Sequence, residues 1–577
     1  MTAFSESACA VLEERYLRRG AQGLQETPDG MLTRVAHAVA SAAREFGEEP
    51  DYWEERFLKR MRALEFLPNS PTLMNAGIPG GQLAACFVLP IRDDLDSIFQ
   101  TLGLAARIQQ SGGGTGFSFS SLRPRGDLVV STGGVSSGPL SFIELFDHAT
   151  TVIRAGGRRR GANMAVLRVD HPDIEEFIGA KRLPGRLTNF NLSVGMTDEF
   201  FAALEARHPF DLRNPRSGRV VRQLDPGAML EQIVHAAWES GDPGLLFLDE
   251  IARHHVTPSL GAIEATNPCG EQPLLPYESC ILGSLNVSKF MMPNGTIDYA
   301  RLGEAIADAV VFLDNVIEVN HYPSPEIERA TRYTRKIGLG VMGWADYLAA
   351  AGVPYDCEGA VAIGERLAGF LTAQARRTSI ELGERRGCFP AFAASIWPSR
   401  GLKALRNATV TCIAPTGTIS LLAGCSSGIE PFFALASRRR MLDGRIAVEV
   451  NQLAQAMLQP LGSAGREALA VLEQTGSLAD ARGIPVELRR RFRVALEILP
   501  EDHLLMQAVF QRHIDAAVSK TVNLPATATP EMVREIFLMA RQFKLKGVTI
   551  YRYGSRRDQP LSLLHEDARP DCRECAL

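Results

Sequence analysis

Along residues 66–555 the chain alternates short apolar, β-rich runs with Gly/Pro-rich turns and amphipathic stretches. The runs 164–169 (MAVLRV), 191–196 (NLSVGM), 408–414 (ATVTCIA) and 547–553 (GVTIYRY) read as strands, several apolar throughout, as in a sheet covered on both faces. Helices are predicted between them. Ser141 and Glu144 have the spacing of a capping box ahead of an amphipathic run ending at Gly156-Gly157. Thr529-Pro530-Glu531 carries the N-cap and first-turn chemistry of a helix start. The alternation predicts an α/β architecture, with the sheet open or closed into a barrel. Residues 1–65 read as a charged, amphipathic helical region, and residues 556–577 lose the pattern and read as a mobile tail. No repeat of 20–50 residues points to a solenoid or propeller.

Composition narrows the picture. With 577 residues, 45% hydrophobic and 22% charged, the chain can bury a large core, which excludes a disordered chain or a small stapled scaffold. Its formal charge of −4 comes from dispersed acids and bases, so a duplex nucleic-acid partner is not expected. No apolar run reaches the ~18 residues that span a bilayer, and the N-terminus lacks the basic-then-apolar order of a secretory signal. These features predict a soluble cytoplasmic protein with no membrane partner. Ten cysteines are too sparse for a disulfide scaffold. Only Cys572 and Cys575 form a C-x-x-C, and no second pair completes a zinc knuckle, so no structural metal is expected.

The densest chemical constellation is Asn267-Pro268-Cys269-Gly270-Glu271-Gln272-Pro273-Leu274, followed by Glu278-Ser279-Cys280. Its prolines and glycine forbid a helix or central strand and predict a tight loop. An extended loop would place the amide, thiol and carboxylate of Asn267, Cys269 and Glu271 on one face, addressing one small substrate. Taken alone, the spacing is equally that of a Pro/Gly turn with a buried cysteine.

The loop resembles the finger loop of ribonucleotide reductases, and further matches follow in order. Leu67-Pro68-Asn69-Ser70-Pro71-Thr72-Leu73-Met74-Asn75 precedes Cys86, and Asp96-Ser97-Ile98 precedes Ser111-Gly112-Gly113-Gly114-Thr115-Gly116-Phe117 and Leu122-Arg123-Pro124. Ala414-Pro415-Thr416-Gly417-Thr418-Ile419-Ser420 leads to Gly428-Ile429-Glu430-Pro431, and Lys546-Gly547-Val548-Thr549-Ile550-Tyr551-Arg552-Tyr553-Gly554 closes the patterned part. Within the family the chain is most similar to the adenosylcobalamin-dependent, class II enzymes of the dimeric kind.

That resemblance implies a ten-stranded α/β barrel over 66–555, built from two five-stranded half-barrels, with the finger loop through its middle. It implies reduction of ribonucleotides, with diphosphates the expected substrate, to 2′-deoxyribonucleotides. Cys269 would carry a thiyl radical begun by adenosylcobalamin, Glu271 would act as general base and Asn267 would orient substrate. Cys86 and Cys280 would supply two electrons and become a disulfide. Cys572 and Cys575 would re-reduce that pair and pass electrons from a thioredoxin-like donor, on a tail able to reach ~60 Å at ~3.3 Å per residue. Substrate would lie against Ser70, Ala85, Cys86, Asn267, Pro268, Cys269, Gly270 and Glu271, with its phosphates at Pro415, Thr416, Gly417, Thr418 and Ile419. The expected oligomer is a homodimer. A deoxynucleoside triphosphate or ATP effector would bind Asp96, Ser97, Ile98, Arg123 and Arg160 at the dimer interface. The absence of a D-x-H-x-x-G signature implies cobalamin bound with its own base as ligand. Alternatives are a large subunit activated by a separate metal-radical protein, a non-catalytic nucleotide-binding regulator, and a plain thiol–disulfide oxidoreductase using the tail pair.

Overall fold

The computed structural model describes residues 4–20, 23–24, 26–130, 133–153, 161–183, 185–440 and 446–555. Its N-terminal part is helical. Thr27 caps Pro28–Ala40, accepting a hydrogen bond from Gly30 N–H with Pro28 in the first turn. Pro50–Arg62 follows, and both helices press apolar faces onto Tyr299–Val319 outside the sheet.

Ten extended segments close around one axis. Strands Cys86–Leu89, Gly114–Ser118, Asn163–Arg168, Phe190–Met196 and Gly244–Phe247 run parallel as one half. The second half consists of Ser279–Asn286, Ile337–Met342, the segment 409–413, Thr521–Leu524 with the residues just before it, and Gly547–Arg552. Two antiparallel seams join the halves, Leu245 opposite Val548 at one and Cys86 opposite Cys280 at the other. Phe66–Pro68 adds a further antiparallel strand beside Ser279–Asn286. The expected pair of five-stranded half-barrels is therefore present. Crossover helices cover the outside, as parallel strands require.

The expected strand over 408–414 is only bridged, at Leu339–Thr411 and Ile413–Val518. Asp515 explains the gap: its carboxylate accepts the Val410 N–H at 2.9 Å, and its own N–H goes to Thr411 Oγ1 at 3.1 Å. A side chain thus takes the place of one ladder acceptor, at the Val410 N–H. The capping box expected at Ser141 is not the helix start either. Helix Pro139–Val152 begins two residues earlier, with Gly138 (φ 82°) as N-cap and Pro139 in its first turn, and Ser141 Oγ instead donates to the Ser137 carbonyl. At the other end Thr529 and Pro530 do begin a helix, Pro530–Gln542. Residues between Phe432 and Val494, which bridge to each other, form a satellite with its own core of Leu435, Leu458, Leu472 and Phe492.

A buried ionic hub anchors the second half-barrel. Asp314, fully buried on Tyr299–Val319, accepts from Arg335 at 2.6 Å, from Arg386 and Arg406 at 3.2 Å each, and from Asn407 at 3.0 Å. Arg335 and Lys336 immediately precede strand Ile337–Met342, and Lys336 is paired at 2.6 Å with Glu278, which immediately precedes strand Ser279–Asn286. The hub therefore fixes the entry of two strands, one of which carries Cys280.

Glycines inside the barrel make room for the finger. On strand Gly114–Ser118, a Cβ at Gly116 would lie 1.7 Å from the Thr266 carbonyl oxygen, and one at Gly114 would lie 2.9 Å from Pro268 Cγ. Gly116→Ala is expected to cost ~2 kcal/mol or more by overpacking and, by displacing the finger, more than ~10² in turnover. Chemical unfolding and steady-state assays read both effects, and wild-type values would mean that the finger does not lie against this strand.

Candidate active site

The finger is a short hairpin, Ala265–Thr266 against Pro273–Leu274, with the loop Asn267–Gln272 at its end. Asn267 N–H donates to the Gln272 carbonyl at 3.2 Å, and Gln272 N–H returns to Asn267 Oδ1 at 3.0 Å. Outside contacts hold the loop at both flanks. Asn191 Nδ2 donates to the Pro268 carbonyl at 2.8 Å, and Ala517 N–H donates to the Glu271 carbonyl at 2.9 Å. Each half-barrel thus grips the finger backbone.

Asn267 and Glu271 converge on Cys86. Asn267 Nδ2 donates to Cys86 Sγ at 3.1 Å, and the Cys86 thiol donates toward Glu271 Oε1 at 3.8 Å. All three residues are buried. Cys280 stands directly opposite Cys86 in the antiparallel register. Such opposed residues have Cα atoms about 4.5–5.5 Å apart, within the 4.4–6.8 Å span of a disulfide. Sequence alone could not supply that distance across 194 positions; the seam between the half-barrels does.

Burial pushes the Cys86 thiol well above its ordinary range, and the neighbouring Glu271 carboxylate adds to the effect. Burial likewise raises Cys280, with Cys412 next in influence, while Lys336 opposes it. Both sulfurs are thus held as neutral S–H groups, able to give up hydrogen rather than act as thiolates.

Cys269 departs from the expected arrangement. A loop extended through Asn267, Cys269 and Glu271 would put all three side chains on one face. Gly270 instead takes φ 83° and its N–H returns to the Asn267 carbonyl at 3.1 Å, a tight turn that breaks the alternation. Cys269 is consequently exposed at the tip, whereas Asn267 and Glu271 point inward. It is still near enough to Cys86 to influence that thiol electrostatically.

The segment Pro415–Ile419 leaves the bridged strand and enters helix Gly417–Ala423. Thr416 occupies the left-handed region at φ 54°, and its Oγ1 accepts the Gly428 N–H at 2.8 Å, tying the loop to the Gly428–Pro431 segment. Helix Gly417–Ala423 packs on strand Phe66–Pro68, just ahead of Ser70, so these sequence-distant residues share one end of the barrel. Ala85 is half-buried next to Cys86.

The expected effector residues lie elsewhere. Asp96, Ser97 and Ile98 form the first turn of Leu95–Gln110, where Asp94 caps by accepting the Asp96 N–H at 2.8 Å. Arg123 is brought to the same end by Asp93, whose carboxylate receives its Nε at 2.8 Å. Ile98 is packed in the core, so only its backbone could reach a ligand. Arg160, Cys572 and Cys575 lie outside the described residues.

Sequence reasoning missed the residues that seat the finger: Asn191, Ala517 and the glycine pair Gly114 and Gly116. The glycines had a signal, since two residues apart on a strand they clear one face for a close backbone. Among the described residues, no cluster of three or more His, Cys, Asp or Glu could hold a metal ion, and no helix is long and apolar enough to cross a membrane.

Comparison with known proteins agrees with this geometry. Residues 2–81 match the model of the ribonucleotide reductase all-alpha domain, and residues 84–404 and 398–551 match that of the ribonucleotide reductase barrel domain. A Mycobacterium tuberculosis (strain CDC 1551 / Oshkosh) protein named vitamin B12-dependent ribonucleoside-diphosphate reductase is 52% identical over 563 residues, covering 97% of this chain and 80% of the relative. A Thermoplasma acidophilum protein of the same name is 46% identical over 564 residues, covering 97% of this chain and 73% of its own. Among solved structures, the Actinobacillus ureae class Id ribonucleotide reductase alpha subunit superposes with TM-score 0.78 at 23% identity, covering 96% of this chain and 97% of that one, a likeness of fold. The motifs, the barrel of paired halves and these matches lead to one conclusion: the chain belongs to the ribonucleotide reductase family.

Proposed function

We propose that the chain reduces ribonucleoside diphosphates to 2′-deoxyribonucleotides by a thiyl-radical route dependent on adenosylcobalamin. The single observation that carries this reading is the placement of Cys86 opposite Cys280 beneath Asn267 and Glu271. The Cys269 radical takes the 3′-hydrogen atom of the ribose, and Glu271 accepts the 3′-hydroxyl proton as general base. The 2′-hydroxyl leaves as water, and Cys86 and Cys280 each surrender a hydrogen as one disulfide forms. Per turnover, two thiols and one C–OH become one disulfide, one C–H and one water. At the end Cys269 returns that hydrogen atom to C3′, which restores its own radical, so it is not consumed.

Neutral, buried thiols at Cys86 and Cys280 support hydrogen donation over ionic chemistry. The exposure of Cys269 fits an initiator that approaches from outside the finger, so Cys269 is the residue that would face it. Adenosylcobalamin, when bound, supplies an unpaired electron through homolysis of its carbon–cobalt bond, and the names of the relatives support vitamin B12 in this role. The substrate phosphates lie at Pro415–Ile419 and Ser70, where helix geometry leaves the first N–H groups of Gly417–Ala423 without intrahelical acceptors.

The protein acts as a homodimer in the cytoplasm. Helices Leu95–Gln110 and Pro139–Val152 pack together yet leave Leu95, Phe99 and Val152 exposed, which supports a partner copy on this face. A deoxynucleoside triphosphate or ATP binds beside it at Asp96, Ser97, Ile98, Arg123 and Arg160. Cys572 and Cys575 return electrons from a thioredoxin-like donor to the buried pair.

The test is an anaerobic assay of the purified chain with adenosylcobalamin, a dithiol and a ribonucleoside diphosphate, with no second protein. Deoxynucleotide formed in the dark and lost after photolysis of the cofactor is the expected result. Turnover only after addition of a metal-radical protein would transfer the assignment to a large subunit of that type.

A further inference from the structure

The N-terminal segment holds a residue that the reaction scheme does not use. Residues Leu12–Tyr16 form a π-helical turn, closed by the Leu17 N–H on the Leu12 carbonyl at 2.9 Å. Such turns are rare and concentrate at functional sites. Here the turn delivers Tyr16, almost fully buried, to the Ser70 hydroxyl, with the two oxygens 2.7 Å apart.

Ser70 opens helix Ser70–Asn75 but does not cap it. Asn69 does that, its Oδ1 accepting the Thr72 N–H at 2.9 Å. The Ser70 hydroxyl is thus spared the usual work of a serine at a helix start, and its hydrogen-bond partner comes from 54 positions away. The same N-terminal segment reaches the other element at this end of the barrel: helix Glu6–Val11 packs on helix Gly417–Ala423.

We propose that Tyr16 is a positioning residue for the substrate's phosphates, acting through Ser70. This rests on the reading above, in which Ser70 and the start of Gly417–Ala423 receive those phosphates. A phosphate oxygen can only accept hydrogen bonds. Ser70 serves it best when its own proton points outward, which requires Ser70 Oγ to accept from another donor. Tyr16 O–H is that donor, and in the chain from Tyr16 to Ser70 to phosphate each bond polarises the next, most strongly at the buried Tyr16 end. The N-terminal helical region therefore completes the substrate site.

The test is a double-mutant cycle on Tyr16→Phe and Ser70→Ala in the full chain, read as Kd for a ribonucleoside diphosphate by equilibrium dialysis. The same nucleoside without phosphates is measured by competition. Tyr16→Phe should weaken diphosphate binding ~3–10-fold, the worth of one net hydrogen bond, and leave the nucleoside unaffected. In the Ser70→Ala background it should change binding by less than about twofold, because coupled residues do not add. A diphosphate Kd unchanged by Tyr16→Phe while Ser70→Ala weakens it overturns the proposal alone, as do effects that multiply or that fall equally on the nucleoside. If Ser70→Ala leaves diphosphate binding untouched, the phosphate reading at Ser70 fails and Tyr16 loses its role with it.

Discussion

Replacing Cys269 by serine should abolish deoxynucleotide formation, by at least ~10³-fold, while leaving the Kd for a ribonucleoside diphosphate within about twofold of wild type. The size of the effect follows from bond strengths. A serine O–H holds its hydrogen too firmly for the oxygen to exchange it with a carbon radical initiator, whereas the weaker S–H bond of cysteine suits both generation of the radical and its return. The retained affinity follows from geometry. Cys269 is exposed at the tip and contributes little buried wall, while Asn267 and Glu271 stay fixed by the backbone of Gln272 and Ala517. Product analysis with radiolabelled substrate, paired with equilibrium dialysis, separates the two quantities. Turnover above a few per cent of wild type would remove the thiyl radical from Cys269 and leave the cysteine as a loop residue. Weakened binding with little product would point instead to collapse of the finger.

The second large effect concerns the fold. Asp314→Asn is expected to destabilise the protein by about 3–5 kcal/mol, the typical cost of removing one partner from a buried ionic cluster. Arg335, Arg386 and Arg406 all direct donors at this carboxylate. Neutralising it leaves their charge against Glu318 and Glu48 alone. The loss should appear as a lower denaturation midpoint at neutral pH, and an unchanged midpoint would show that the arginines are adequately balanced without it. The same group sets an acid limit. Burial pushes the Asp314 carboxyl up, but Arg335, Arg406 and Arg386 together outweigh that and hold it at about 2, against an ordinary value near 3.8. Because the folded form binds its proton less readily than the unfolded chain, the stabilisation is complete above pH ~5 and is lost progressively as the pH falls from ~4 toward ~2. Asp314→Asn should flatten that part of the acid-denaturation profile.

The sequence disclosed the residues of the candidate site more readily than the architecture that assembles them. The finger loop and the segment 415–419 were legible because each depends on residue types at close spacing, whereas the pairing of Cys86 with Cys280 came only from the resemblance, since 194 positions separate them. The alternation of apolar runs and amphipathic helices disclosed α/β class, and the resemblance disclosed the barrel. Four features were not legible, each for a physical reason. The interrupted strand over 409–413 depends on Asp515 contributing a side chain to the ladder, an event more than a hundred positions away that no local propensity records. The helix start at Pro139 rather than near Ser141 depends on a glycine N-cap, which competes poorly in pattern reading with a Ser-to-Glu box. The outward turn of Cys269 depends on one left-handed dihedral at Gly270, which defeats the two-residue alternation on which the shared-face argument rested. The Asp314 hub left no trace at all. Its arginines stand 21, 72 and 92 positions away, and scattered charges read as surface until a fold collects them.

The seam that sets Cys86 against Cys280 also dictates where this chain can change length. Side chains on a strand switch faces with each residue, so adding or deleting one position just before Cys86 or Cys280 would turn that sulfur away from its partner across the seam and, at Cys86, from Asn267 and Glu271. Growth and shrinkage are thereby steered toward excursions such as the satellite, whose ends Phe432 and Val494 are bridged to each other. Two sulfurs facing each other across a joint thus act as a ruler for the polypeptide, one that measures the approach to each of these two strands.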